Sequence, residues 1–531
     1  MLDAVVVGGG VNGLVAATLL ADAGREVVVL EGQETAGGAC RSAEVTAPGF
    51  VSDLFSAFYP LGVASPILRD LRLDQHGLRW LHAPAVLAHP LLDGRTAVLS
   101  RNLDVTAASL EEFGAGDGDA WRGLYDEWQI VSEGLLGSIF SPFPPVRSAT
   151  GLLRALGPAG ALRFARLAVL PVATLAADRF AGEGGGVLLA GNALHADLTP
   201  QTAASAVYGW LLAMLGQQLG WPVPAGGAGG ITDALLSRLR AQGVPVLTSM
   251  PVDQIVVRAG RVAGVRVQGG GEVRAPVVVA NVDAITLYRS LIDSSVLPPR
   301  LLADLNGFTW DYATVKVDWA LSAPIPWRDA RCSSAGTVHL GGSLDDLTLG
   351  SQQLQRGLVP EHPFTLVGQM TTSDPSRSPA GTESAWAYCH VPQQVRGDAG
   401  GEGITGAWAG RDVDLIVARM EAQVEAMAPG FGDLVLARYV QSPRGLEEHD
   451  GALHFGALNG GTAAVHQQLF FRPVPGLGRP ETAVPGLYLA SMSAHPGGGV
   501  HGAPGANAAK AVLLGPVRRR AVDAATRALY R

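Results

Sequence analysis

The stretch Val5-Val6-Val7-Gly8-Gly9-Gly10-Val11-Asn12-Gly13, an alanine-rich run behind it, and Val27-Val28-Val29-Leu30-Glu31 decide the fold. An apolar strand, a glycine turn, a helix and a second apolar strand, in that order, read as a dinucleotide-binding β-α-β unit. Gly8 lets the backbone turn sharply out of the first strand, Gly10 removes a side chain where a pyrophosphate must approach, and Gly13 lets the helix press against the sheet. The helix start at Val11 and Asn12 turns its partial positive charge towards the phosphates. Glu31 ends the second strand, where a carboxylate accepts hydrogen bonds from an adenosine ribose and disfavours a 2′-phosphate.

Working outward, Ala36-Gly37-Gly38-Ala39-Cys40-Arg41-Ser42 follows the second strand and is placed to pass its backbone beside the same pyrophosphate. Near the other end of the chain, strand, glycine loop and helix recur in Val484-Pro-Gly-Leu-Tyr-Leu-Ala-Ser-Met-Ser-Ala-His495-Pro-Gly-Gly-Gly-Val-His501-Gly-Ala-Pro504 and the alanines beyond. Pro504 suits a first helical turn, and free amides there favour negative charge. A flavin gains negative charge at its N1 and O2 edge on reduction, so such a helix start favours a flavin over NAD.

The 531 residues leave room for two or three domains. Charged residues make up 16%, against about 25% in typical domains. Two readings stay open: an alanine- and glycine-rich background, supported by the presence of only two lysines, Lys316 and Lys510, or an apolar surface kept for a greasy substrate or membrane face. A net charge of -8 excludes a general nucleic-acid binder. Cys40, Cys332 and Cys389 form no C-x-x-C, which fits a reducing cytoplasm and excludes a dithiol redox centre. No apolar run reaches the roughly 18 residues needed to span a bilayer. No H-E-x-x-H metal spacing and no G-x-S-x-G turn is present, so metal and hydrolase readings fall away.

Between Gly134 and Ala177 there is no acidic residue, while Arg147, Arg154, Arg163 and Arg166 stand among apolar residues. That pattern predicts helices forming either a lid over an apolar pocket or a surface resting on anionic lipid. Pro224-Ala-Gly-Gly-Ala-Gly-Gly230 opens a helix near Ile231; with no strand feeding it, it reads as a helix cap rather than a second phosphate loop. Strands are predicted from Val244 to Leu247, Val252 to Val257, Val262 to Val267, Val277 to Ala280 and Thr314 to Leu321, then near Thr337, Phe364, Trp386 and Leu434, with a helix from Asp412 to Met427. The fold class is therefore α/β, with a discontinuous Rossmann-like domain over 1–62, 222–292 and 480–531. An α+β substrate domain over 63–130 and 293–479 and a helical lid over 131–221 complete it.

These motifs, with Val277 to Asp283 and Leu469-Phe-Phe-Arg-Pro-Val-Pro-Gly476, resemble the phytoene desaturase branch of the FAD-dependent amine oxidase superfamily. Within it, the chain is most similar to the pyridine nucleotide-disulfide oxidoreductase domain-containing protein 2 group, although the missing dithiol argues against disulfide chemistry. The resemblance implies a non-covalent FAD held by Gly8, Gly10, Val11, Asn12, Gly13, Glu31, Gly37, Gly38, Arg41 and Asn281. It also implies that Val252 meets the adenine through its backbone, and that Gly499, Val500 and Gly502 lie beside the flavin.

For catalysis, the resemblance matches Lys316, in Thr314-Val-Lys-Val-Asp-Trp-Ala, to a lysine that holds water against flavin N5; an exposed strand lysine is the alternative. His495 and His501 flank a glycine loop where a neutral imidazole shuttles a proton or merely holds structure. Asp53 and Tyr59, soon after the second glycine loop, are candidates for the substrate side of the ring. The function so read is an FAD-dependent oxidoreductase moving hydride from a C-H bond of an apolar or amine-bearing small molecule to N5, with reoxidation by oxygen or a quinone. A flavin-dependent isomerase without net redox and a non-catalytic, escort-type lipid carrier are the alternatives. The expected partners are a small molecule and no nucleic acid; the expected location is cytoplasmic, with peripheral membrane contact as the open variant.

Overall fold

A computed structural model describes residues 2–514; the end of the predicted FAD-binding domain, 515–531, lies outside them. Five parallel strands form one sheet in the order Leu487–Leu489, Val278–Ala280, Ala4–Val7, Val27–Leu30, Val246–Leu247. The sheet is thus assembled from three distant parts of the chain. Its strands are continuous apolar runs because both faces are covered. Val6 and Val29 pack with Leu14, Leu235 and Ala508, from the helices Val11–Asp22, Gly229–Ala241 and Ala503–Val512. Val5, Val7 and Leu30 pack on the opposite side against Ile255 and Val265 of an antiparallel three-stranded sheet. One of its strands, Glu272–Arg274, is short, polar and surface-facing, and its sequence carries no strand pattern.

A second sheet has seven strands, ordered Val435–Gln441, Ala313–Leu321, Glu383–Val391, Thr365–Gln369, Ala335–Leu340, Ala85–Pro90, Thr96–Leu99. Only the pair Ala335–Leu340 and Ala85–Pro90 runs parallel. Side chains alternate across such a sheet, and the two faces differ sharply. Val315, Val317, Trp319, Ala387, Cys389 and Val338 pack on one face with Ile416 and Met420 of the helix Arg411–Met427. Register places Thr314, Lys316 and Asp318 opposite His390, Tyr388 and Trp386 on the other face, with Thr337 and His339 further along it.

Five helices, Asp117–Ile139, Val146–Val169, Val172–Arg179, Gly184–Leu194 and Ser205–Leu219, form the third body. Gly184–Leu194 is buried at every position, so it is core. Val146–Val169 is the outward one: it bends at Gly157, whose φ of 62° and ψ of 178° leave the helical region ahead of Pro158. No helix among the described residues is long and apolar enough to cross a membrane.

Candidate active site

The glycine unit is built as its residue types require. Gly8 has φ +93°, and a Cβ there would meet the Asn281 carbonyl oxygen at 2.6 Å. A Cβ on Gly13 would lie 2.1 Å from the Gly8 carbonyl oxygen, so the helix could not approach the sheet with any side chain at this position. Asn281 supports the turn from below: its amide donates to the Val7 carbonyl at 2.7 Å and its side chain to the Gly8 carbonyl at 3.3 Å. The second glycine loop docks on the first, with the Gly37 amide donating to the Gly9 carbonyl at 2.9 Å. Gly38 follows, so close that a Cβ would sit 3.1 Å from the Gly10 Cα. Both Glu31 carboxylate oxygens are engaged, accepting from the Gly9 amide at 2.6 Å and the Gln33 amide at 2.8 Å. Each oxygen retains a further lone pair for a ribose hydroxyl.

The helix Val11–Asp22 begins at Gly10 with no side-chain cap and no acidic residue in its first turn, which leaves its amides for an anion. Asn12 Oδ1 and Asn507 Oδ1 are buried with no partner. The helix Ala503–Val512 touches this start so closely that a Cβ on Gly505 would fall 1.9 Å from the Asn12 carbonyl oxygen. The two ends of the chain therefore close one cradle. Val252 is at its far end: Met250 and Ser249, just before it, donate to the Glu31 and Gln33 carbonyls, both at 2.8 Å. Arg41 does not reach the cradle as a free cation. Its Nε donates to the Gly38 carbonyl and its Nη2 to the His449 carbonyl, with the guanidinium over Phe55. It clamps the glycine loop from behind.

The Pro224–Gly230 loop is a cap, and the side chains that use its amides are visible. Asp53 Oδ1 accepts from the Ala228 amide at 2.7 Å, Ser42 Oγ from the Gly229 amide at 3.1 Å, and Asp374 Oδ2 from the Gly226 amide at 2.7 Å. A two-residue strand, Val223–Pro224, does precede it, but it pairs antiparallel with Trp80–Leu81 outside the parallel sheet. This corrects the expectation for Asp53. It is fully buried, paired with Arg377 at 3.0 Å, and absent from the cavity wall.

That wall encloses about 530 Å³ between the His495–His501 loop, the polar face of the seven-stranded sheet and the helical body. Gly499, Val500 and His501 form one side, Trp386, Tyr388 and Thr337 another, and Leu135, Ile139, Phe164 and Leu211 a third. Gly502 follows the first of these with φ +72°, as the cap of the Ala503–Val512 helix. Among the described residues, no Asp, Glu, Lys or Arg lines the cavity.

Tyr59 contributes its ring to the cavity while its hydroxyl is bonded to Ser56 Oγ at 2.8 Å. His501 is neutral and fully used: Nδ1 accepts from the Ala503 amide at 3.1 Å, and Nε2 donates to the Gly498 carbonyl at 3.3 Å. Burial pushes its pKa down to about 4. It holds the loop rather than carrying protons. His495, likewise lowered to about 4 by burial, lines the cavity with Nε2 buried and unpartnered. Lys316 lies on the same sheet face as Tyr388 but does not line the cavity; its ammonium is bound by Asp318. Both side chains are almost fully buried, at 4% and 1% exposure. Lys316→Met is expected to leave the Asp318 carboxylate unpaired and to cost about 3–5 kcal/mol of stability. The double variant Lys316→Met with Asp318→Leu should recover most of the loss in a denaturant melt.

Sequence reading missed the residues that shape the loop Leu458–Ala463, which carries Leu458 and Asn459 into the cavity wall. Arg472 is 1% exposed and donates only to carbonyls, those of Asn459, Gly460, Gly461, Thr462 and Met492. Asp311 accepts from the amides of Leu458, Asn459 and Gly461. Asp197 accepts from the Ala463 amide and the Thr462 hydroxyl. Burial, reinforced by Asp311, pushes Asp197 up to about 8. Missed as well were His195, Trp221 and Thr337 of the wall.

Known proteins share this fold. Residues 6–84 match an NAD(P)-binding Rossmann-like domain. The chain is 29% identical to the pyridine nucleotide-disulfide oxidoreductase domain-containing protein 2 of Rattus norvegicus, over 96% of this chain and 93% of that one. It is 27% identical to a hydroxyneurosporene desaturase of Cereibacter sphaeroides, over 96% and 97%. The chain is thus similar to phytoene desaturase-like proteins of the FAD-dependent amine oxidase superfamily. The fold extends to a putrescine oxidase structure, with TM-score 0.58 and 14% identity over 98% of this chain and 99% of that one. Cys40, Cys332 and Cys389 are each buried and form no disulfide with one another.

Proposed function

We propose that the protein is an FAD-dependent oxidoreductase that dehydrogenates an apolar small molecule at a C-H bond. The uncharged cavity carries this reading: a cationic amine would enter a chamber with no carboxylate to replace its hydration, a cost of several kcal/mol. A relative that is a desaturase supports the same direction.

The two glycine loops, Asn12, Asn507 and Glu31 would hold the dinucleotide without a covalent bond, and Gly499 to Gly502 would bound its reacting end. When bound, the flavin supplies the hydride acceptor, later reoxidised by oxygen or a quinone. The protein contributes position and exclusion of water: Tyr388, Trp386, Leu211 and Phe164 confine an apolar substrate against the His495–His501 loop. The neutral His495, with an unpartnered Nε2, is the side chain placed to accept a proton there.

Anaerobic mixing tests the substrate class. A neutral isoprenoid is expected to bleach the flavin band near roughly 450 nm, while a primary amine of similar size leaves it unchanged. Bleaching by the amine alone would contradict the reading.

The outer face of the same helices indicates how such a substrate arrives. Val146, Leu153, Leu162 and Val169 are exposed, Leu162 at 75%, between the exposed Arg147, Arg154 and Arg163; Arg166 pairs with Asp178. Phe164 and Ala168 of that helix, and the half-exposed Val465 and Leu469, line the cavity. We propose that this face rests on an anionic lipid surface. The protein should sediment with vesicles containing phosphatidylserine at low salt, and Leu153→Glu with Leu162→Glu should abolish the effect without changing the melt.

A further inference from the structure

Polar side chains interrupt the apolar lining of the chamber at several points, among them His495 and Asn459, and one polar group stands at the seven-stranded sheet. His195 lines it directly after the helix Gly184–Leu194, and its Nε2 lies 2.8 Å from Nε2 of His339. Thr337 is two residues from His339 on the same strand face; it lines the cavity, and its Oγ1 is buried without a partner. Trp221 packs edge-on against His195 with ring centroids 5.2 Å apart. The helix makes deliberate room for the pair: a Cβ on Gly191 would stand 2.4 Å from His339 Nδ1.

Two facing Nε2 atoms share a hydrogen bond only when one ring carries the proton there and the other does not. Burial keeps both rings neutral, lowering the pKa of His195 to about 3 and that of His339 well below its usual range. If His195 donates, its Nδ1 is an acceptor; if His339 donates, His195 carries its proton on Nδ1 and becomes a donor. The pair can therefore meet either partner. A purely hydrocarbon ligand would leave this imidazole and the Thr337 hydroxyl buried and unpaired, which folded proteins avoid.

Building on the reading of the cavity as the substrate chamber, we propose that its sheet end is a hydrogen-bonding subsite for one neutral oxygen function, a hydroxyl or carbonyl, on an otherwise apolar substrate. His195 and Thr337 touch that oxygen; His339 is a positioning residue that fixes the His195 ring.

The test is calorimetric titration of the FAD-loaded protein with 1-octanol and with nonane, in which a methyl replaces the hydroxyl. A site built around a hydrogen bond loses about tenfold in affinity when one partner is removed. His195→Leu is expected to lower the octanol-to-nonane affinity ratio about tenfold, with nonane binding retained. His339→Leu should lower the ratio similarly, and His339→Gln, which keeps a polar partner, should restore part of it. An unchanged ratio in His195→Leu overturns the subsite; if that variant fails to fold, Thr337→Val is read in the same way. Failure of both ligands to bind, with flavin absorbance intact, would instead refute the chamber reading itself.

Discussion

Gly10→Val is expected to yield a folded protein that takes up FAD at least about a hundredfold more weakly, a difference of about 2.7 kcal/mol. Gly10 has φ -70°, which any residue adopts, and a Cβ there meets only the Asn281 side chain at 3.0 Å and Gly38 at 3.8 Å. Its hydrogen therefore faces the space left for a ligand rather than a packed wall. Gly13 is the opposite case. Its missing Cβ lies 2.1 Å from a backbone oxygen, so Gly13→Val should lower the melting temperature and FAD binding together. A flavin titration beside a thermal melt reads both variants. Equal FAD affinity in Gly10→Val and the parent would remove the phosphate role assigned to the loop.

Arg472→Met is expected to be strongly destabilising, by about 3–5 kcal/mol. The guanidinium donates to five backbone carbonyls. It also lies near the carboxyl groups of Asp197 and Asp311, whose negative charge it would stabilise when they ionise. Methionine fills much of the volume but donates nothing, so the Leu458–Ala463 loop loses the cation that gathers its carbonyls. The result should appear as a lower melting temperature of the FAD-loaded protein, with weaker substrate binding because Leu458 and Asn459 leave the wall. Arg472→Lys should rescue only partly, since one ammonium cannot span carbonyls arranged for a planar fork.

Much of the nucleotide cradle was legible in the sequence because its causes are local. Gly8 answers a turn, Gly13 a helix touching its own strand, and Glu31 the end of that strand. The alternation of Thr314, Lys316 and Asp318 was also present, and with it a signal left unused: residues two apart on a strand share a face, so Lys316 had a carboxylate partner written beside it. Asp53 could not be placed in this way. Its partner amide at Ala228 is 175 positions away, and nothing near Asp53 records it. The His195–His339 pair spans 144 positions, and Arg472 works through carbonyls, which leave no trace in side-chain chemistry. Trp386, Tyr388 and His390 announce a strand with one aromatic face, but which face meets the cavity depends on a helix packed behind the other.

The proposed flavin is held, without a covalent bond, between the first and last glycine loops. Titration of the purified chain with FAD, followed by acid precipitation, tests it most directly. Saturable uptake at one FAD per chain is expected, with all of the flavin released into the supernatant. No uptake of FAD, or flavin remaining on the precipitated protein, would contradict it.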